Sequence, residues 1–192
     1  MVAQRLFQAL YLFLPLLVSV ALAAVVQKYD LVRWLKVPID GGLEIRGRRL
    51  FGKSKTWRGV AIAIVGSVSG VALQRYVLEG VARSIAVVDY ANTNVLALGL
   101  TMGGAAMAGE LPNSFVKRRL GIEPGATTRR PVLGAIFWTW DQVDLLLITW
   151  PAIMPWVEAT AGLVVASFAV ALVLHPAIAW IGYALGARTS AR

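Results

Sequence analysis

The sequence predicts an all-α integral membrane protein: about five transmembrane helices, N-terminus outside, C-terminus in the cytoplasm, and two basic cytoplasmic loops. Three observations carry this. Of the 192 residues, 58% are hydrophobic and only 15% charged, against about 25% charged in soluble domains. The apolar residues fall in runs long enough to cross a hydrocarbon core of roughly 30 Å. The formal charge of +9 gathers between those runs, where Lys and Arg mark the cytoplasmic side.

The first span, about 6–26, holds no charge. It is longer than a secretory h-region, only Arg5 precedes it and a basic stretch follows, so it reads as a retained helix. The second, about 59–78, carries Gly66 and Gly70, and the third, about 92–108, carries Gly99, Gly103 and Gly104. Small residues at such spacing let helices approach closely, within one subunit or between subunits of an oligomer. The fourth, about 131–154, contains Asp141 and Asp144, and the fifth, about 158–185, contains His175 and Pro176. No linker, low-complexity tract or repeat divides the chain, so 1–192 is one membrane domain, multi-pass in the cell membrane.

The link at about 27–58 holds Lys28, Arg33, Lys36, Arg46, Arg48, Arg49, Lys53, Lys55 and Arg58. The link at about 109–130 holds Lys117, Arg118, Arg119, Arg129 and Arg130, whereas the other two links hold Arg83 and no base. Arg188 and Arg192 agree with a cytoplasmic C-terminus. Base confined to two loops on one side argues against nucleic acid and leaves lipid headgroups or a nucleoside triphosphate as partners. The absence of cysteine excludes disulfides and thiolate chemistry, and a lone histidine excludes a His-rich zinc site.

Asp141 and Asp144 stand at i and i+3, so on a helix both carboxylates share a face. Two like charges inside a span are costly unless a cation lies between them. Mg²⁺ fits, because it takes one or two carboxylates with phosphate oxygens and water; the alternative is pairing with Arg or Lys from a neighbouring helix. Residues Gly47 to Ser54 match G-x-x-x-x-G-K-[ST], but a P-loop needs a strand before it and a parallel sheet around it. The match therefore reads as accidental.

Lys55-Thr56-Trp57-Arg58-Gly59 puts two cations and a hydroxyl at a helix N-terminus, which suits phosphate; positive-inside anchoring with Trp57 in the interfacial belt explains it equally well. Residues Gly109 to Gly121 combine Glu110 with Asn113, Ser114 and three consecutive bases, suiting metal-dependent transfer of a phosphorus group. His175 reads as an interhelical hydrogen-bonding residue, and Asp40 as a turn residue.

Together these segments resemble the CDP-archaeol synthase family, relatives of the phosphatidate cytidylyltransferases. The resemblance runs through Pro38-Ile39-Asp40-Gly41-Gly42, Arg48-Arg49-Leu50-Phe51-Gly52, Lys55-Thr56-Trp57-Arg58-Gly59, Ser114-Phe115-Val116-Lys117-Arg118-Arg119-Leu120-Gly121, Pro124-Gly125, Asp141-Gln142-Val143-Asp144 and Ile181-Gly182-Tyr183-Ala184-Leu185-Gly186. It implies transfer of CMP from CTP to a membrane lipid phosphate, of archaeal isoprenoid ether or diacyl type, with Mg²⁺ as cofactor and pyrophosphate as product. On that reading Asp141, Asp144 and Glu110 bind metal and act in catalysis with Lys117. Asp40, Lys55, Thr56, Arg58, Asn113, Ser114, Arg118 and Arg119 bind substrate. Two positions depart from the family pattern: Lys53 and Glu110 stand where aspartate is common. The competing classes are a non-enzymatic transporter or lipid-binding protein, and a P-loop NTPase.

Overall fold

The computed structural model describes residues 2–126, 128 and 130–184. Arg129, Leu185, Gly186, Arg188 and Arg192 lie outside the described residues. Among the described residues four rods are long and apolar enough to cross a membrane: Trp57–Ala82, Val95–Arg119, Pro131–Ile153 and Ala161–Ala184. A bent pair, α1 (Val2–Leu12) and α2 (Leu14–Lys28), which meet at 50°, makes a fifth if the two count as one broken span.

The single retained helix expected over about 6–26 is thus broken in two. Pro15 has no N–H to give the carbonyl of Tyr11, four residues back, and its ring crowds that turn. The freed carbonyl accepts a hydrogen bond from the Gln74 amide instead, as neighbouring helices commonly do for proline breaks in lipid. Gln74 opens a π-helical turn, Gln74–Leu78, between α3 (Trp57–Leu73) and α4 (Glu79–Ala82). Phe13, at the break, packs edge-on against Trp150 at 5.8 Å.

The central rod is α5 (Val95–Arg119), between α3 and α6 (Pro131–Ile153); α2 packs on α3, while α1 and α6 pack on α7 (Ala161–Ala184). Glycines set these crossings. A Cβ on Gly66 or Gly70 would overlap Ser19 or Pro15 of α2, and one on Gly99 or Gly103 would overlap Val68 or Ala63 of α3. Ser19 then bonds the Ala63 carbonyl and Ser67, each at 3.0 Å. Gly104 faces open space, so it takes no part in the close packing expected of it.

Two further features differ from the expected layout. The link after α2 contains a short antiparallel hairpin, β1 (Glu44–Ile45) with β2 (Arg48–Arg49). Its turn residues Arg46 and Gly47 have φ of 53° and 70°, as a type I′ turn requires. The first glycine of the P-loop-like string is thus a hairpin turn, with no nucleotide-binding sheet around it among the described residues. Second, residues 109–119 are helix rather than loop. At 25 residues and 1.5 Å per residue, α5 is about 38 Å long and outruns a hydrocarbon core of about 30 Å.

Candidate active site

Because α5 continues, Glu110, Asn113, Ser114, Lys117 and Arg118 fall at helical spacing on one stripe. That stripe meets the stripe of α6 bearing Asp141 and Asp144. The Asn113 amide nitrogen donates to Asp141 Oδ1 at 2.6 Å and to Asp144 Oδ2 at 3.0 Å, so one side chain bridges both carboxylates. Lys117 pairs with Asp141 and sits 5.4 Å from the Phe137 ring centroid. Lys55 pairs with Glu110. Gly109 makes the approach possible, since a Cβ there would overlap the Asp144 carbonyl oxygen.

Lys55 and Lys117 take up Glu110 and Asp141, and among the described residues Asp144 is held by the Asn113 amide and its neighbour's N–H rather than by a cation. The Asp141 side chain is 42% exposed whereas Asp144 is only 6% exposed, so the cluster is open at one end and sealed at the other. Asn113 is buried, and its Oδ1 lacks a hydrogen-bond partner. Among the described residues no three carboxylate or imidazole groups converge to hold an ion, and Glu110 stands paired with Lys55. The donor set nevertheless fits Mg²⁺, which needs one or two protein carboxylates and fills its remaining positions with water and phosphate oxygen. The unsatisfied Asn113 oxygen adds a donor beside the two aspartates.

The remaining site candidates lie around this cluster rather than in it. Thr56 caps α3, its hydroxyl accepting from the Gly59 N–H at 3.3 Å. Arg58 turns the other way, donating to Asp30 Oδ1 at 2.7 Å and the Leu31 carbonyl at 3.1 Å. Ser114 is buried beside Asn113. Asp40 is buried inside the first basic link and accepts from the Gly42, Phe51 and Gly52 N–H groups at 3.1, 3.1 and 3.2 Å. Burial pushes its carboxyl up, but the three N–H bonds and nearby Arg49 outweigh that and hold it below the ordinary range.

Arg119 clasps the hairpin, donating to the carbonyls of Ile45, Arg48 and Arg49. Arg48 reciprocates by donating to the Arg119 carbonyl at 2.7 Å, at the negative end of the α5 dipole. Arg118 donates to the Ile122 carbonyl.

Hairpin, α5 end and the Gly121–Pro124 turn enclose a cavity of about 450 Å³ walled by Arg48, Arg49, Lys53, Arg118 and two glutamates, Glu44 and Glu123. Arg49 Nη1 and Arg118 Nε are buried without hydrogen-bond partners. Gly52 and Gly121 line it at φ of 93° and 75°; a Cβ on either would stand 3.3 Å from Arg118 Nε or 3.1 Å from Arg48 Nη1. Guanidinium nitrogens without a hydrogen-bond partner, Arg49 Nη1 having only the 4.0 Å ion pair with Asp40, suit an anion in a cavity of that size. Arg49 was not among the residues expected to bind substrate, and Lys53 stood out only as a departure from the family pattern.

His175 is linked to the site from behind. Its Nδ1 lies 2.8 Å from Gln142 Oε1, so the interhelical hydrogen bond expected of it is present.

Comparison with known proteins names one family twice, by a family model and by curated relatives. The CarS-like family model, CDP-archaeol synthase, matches residues 2–190. The chain belongs to the CDP-archaeol synthase family. The CDP-archaeol synthase of Halobacterium salinarum is 38% identical over 160 residues, covering 79% of this chain and 81% of the relative. That of Halorubrum lacusprofundi is 34% identical, covering 78% and 80%; that of Hyperthermus butylicus is 32% identical, covering 78% and 68%. A solved structure described as an intramembrane enzyme for archaeal membrane lipids biosynthesis matches with a TM-score of 0.62 at 27% identity, covering 88% of this chain and 90% of that one. The fold is therefore that of a multi-pass intramembrane enzyme.

Proposed function

We propose that the reaction runs at the Asn113, Asp141 and Asp144 cluster, with CTP reaching from there into the basic cavity and Mg²⁺ held by the two aspartates. The activity follows from the family: CTP-dependent cytidylyl transfer to an archaeal lipid phosphate, giving a CDP-activated lipid and pyrophosphate. What supports the placement is the single Asn113 amide that brings both carboxylates together beside Lys117.

When bound, Mg²⁺ supplies positive charge to phosphate oxygens. The chain's own residues do the rest. A lipid phosphomonoester is already ionised near neutral pH, so its oxygen attacks the α-phosphorus of CTP with little help from a base. The bond from that phosphorus to the bridging oxygen breaks, and pyrophosphate leaves. Two anions must meet, so the burden falls on fixed cations that neutralise their repulsion. Lys55 and Lys117 rest on Glu110 and Asp141 and turn to phosphate as substrate enters. Arg118, Arg49 and Lys53 hold the triphosphate or its leaving half in the cavity. Asn113 and Ser114 orient the groups between. Thr56, Arg58, Asp40 and Arg119 act at one remove by holding the backbone that presents the cations.

Base gathered at the hairpin end supports a reading with that end in the cytoplasm, the N-terminus outside and the C-terminus inside, in the cell membrane, with the lipid substrate arriving from the inner leaflet. The test is CTP-dependent pyrophosphate release with Mg²⁺, run in parallel on a diether isoprenoid glycerol phosphate and a diacyl phosphatidate. Turnover with the diether lipid that is lost in Asp141→Asn and Asp144→Asn, in folded protein, is the expected result. Undiminished turnover in both variants sinks the proposed site.

A further inference from the structure

In lipid, the hydrophobic effect does not choose which face of a helix meets its neighbour, because lipid tails are as apolar as leucine. The rotation of α6 about its axis must therefore be set by packing and polar anchors. On one side it is held by Asn113 of α5 through Asp141 and Asp144. Successive residues on a helix are turned by about 100°, so Gln142 faces away from the aspartates, toward α7. There its amide is oriented by its own helix, Nε2 donating to the Trp138 carbonyl at 2.9 Å. That leaves Oε1, an acceptor only, aimed at His175 Nδ1 at 2.8 Å. The histidine must therefore carry its proton on Nδ1 to make the bond. Gln142 is buried, so water does not readily replace this contact.

We infer that His175 is a positioning residue for the aspartate pair: through Gln142 it fixes the rotation of α6 that aims Asp141 and Asp144 at α5. The two anchors act as a two-point clamp on one helix, and loss of the α7 anchor leaves α6 free to turn about the Asn113 contact. A carboxylate misaimed by a fraction of an ångström binds its cation and orients substrate poorly, which lowers turnover more than CTP affinity. The inference rests on the site proposed above.

The experiment compares His175→Leu, which removes the N–H, with His175→Asn, whose amide nitrogen stands close to the place of Nδ1. For His175→Leu the expected result is a kcat about 10- to 100-fold lower, as for loss of groups that orient metal ligands, with the KM for CTP changed less than about threefold. The rise in Tm on adding Mg²⁺ and CTP, read without turnover, shrinks as well, and His175→Asn restores most of both. Gln142→Leu repeats the test from the other partner should His175→Leu fold poorly; Gln142→Glu keeps the acceptor and retains kcat better than Gln142→Leu. Wild-type kcat and Tm rise in His175→Leu and Gln142→Leu overturn the inference, as does an asparagine variant no better than the leucine one. Asp144→Asn is the control: if it keeps turnover, the site reading fails first; if it is inactive while His175→Leu matches wild type, only this inference fails.

Discussion

Helix α5 makes two interfaces of opposite kinds. Against α3 it presents Gly99 and Gly103, and the helices meet backbone to backbone. Against α6 it begins the same way, at Gly109, and over the next two turns changes to Asn113 and Lys117 bonded to the two aspartates. The first interface is held by shape, the second by charge. An interface held by shape tolerates no added volume but carries no chemistry. One held by charge can exchange partners, and a cation released from a carboxylate is available to phosphate.

The comparison can be broken most severely at the charged interface. Asn113→Leu removes the bridge between Asp141 and Asp144, and pyrophosphate release is expected to fall by about 100-fold while α3 and α5 stay packed. Next in size is Gly109→Val, which forces a side chain into the Asp144 carbonyl and costs about 1–3 kcal/mol or more by overpacking. Its Tm and its kcat fall together. Gly103→Val is expected to lose similar stability at the α3 face, yet its folded fraction keeps near-normal kcat, and Gly104→Val, in open space, changes little. Equal kcat losses in the valine variants at 103 and 109 would show that the two interfaces are not separable.

A smaller effect is expected at Asp40, which organises the basic link. Its carboxyl is held below the ordinary range, so its stabilisation is fully present above the usual aspartate value of about 3.9 and is lost as pH falls through the lower, folded-state value. Asp40→Asn should cost about 1–3 kcal/mol at neutral pH and flatten the loss of stability on acidification, measured as Tm against pH. The smallest is Thr56→Ala, which removes the cap of α3 for about 1 kcal/mol and should leave kcat within twofold.

The spans, their glycine contacts and the shared face of Asp141 and Asp144 were legible because each depends on spacing along one helix. So was the pairing role of His175, since an isolated imidazole in a span has few other uses. The break at Pro15 was hidden inside an unbroken apolar run, and its remedy comes from Gln74, far along the chain. The extension of α5 was concealed by its charges: hydropathy ends the span at Ala108, although 110, 113, 114, 117 and 118 carry a helical stripe. Which carboxylate each cation chooses was not legible at all. Lys55 and Arg58 are three residues apart, yet one reaches Glu110 and the other Asp30, a choice made by the packing of α2, α3 and α5.

The Arg119 clasp has a consequence for how the first link can vary. By fastening the hairpin to the end of a long helix at three carbonyls, it divides one excursion of the chain into two shorter ones with fixed ends. Closing a flexible loop becomes only about 0.6 kcal/mol harder each time its length doubles. Extra residues inserted between Asp30 and Val37, ahead of the fastened part, should therefore be absorbed as slack. The same number inserted between Leu43 and Phe51 would shift the hairpin register against the clasp and move the arginines away from the cavity they line. Length variation is expected to concentrate on one side of Asp40 and to be scarce on the other.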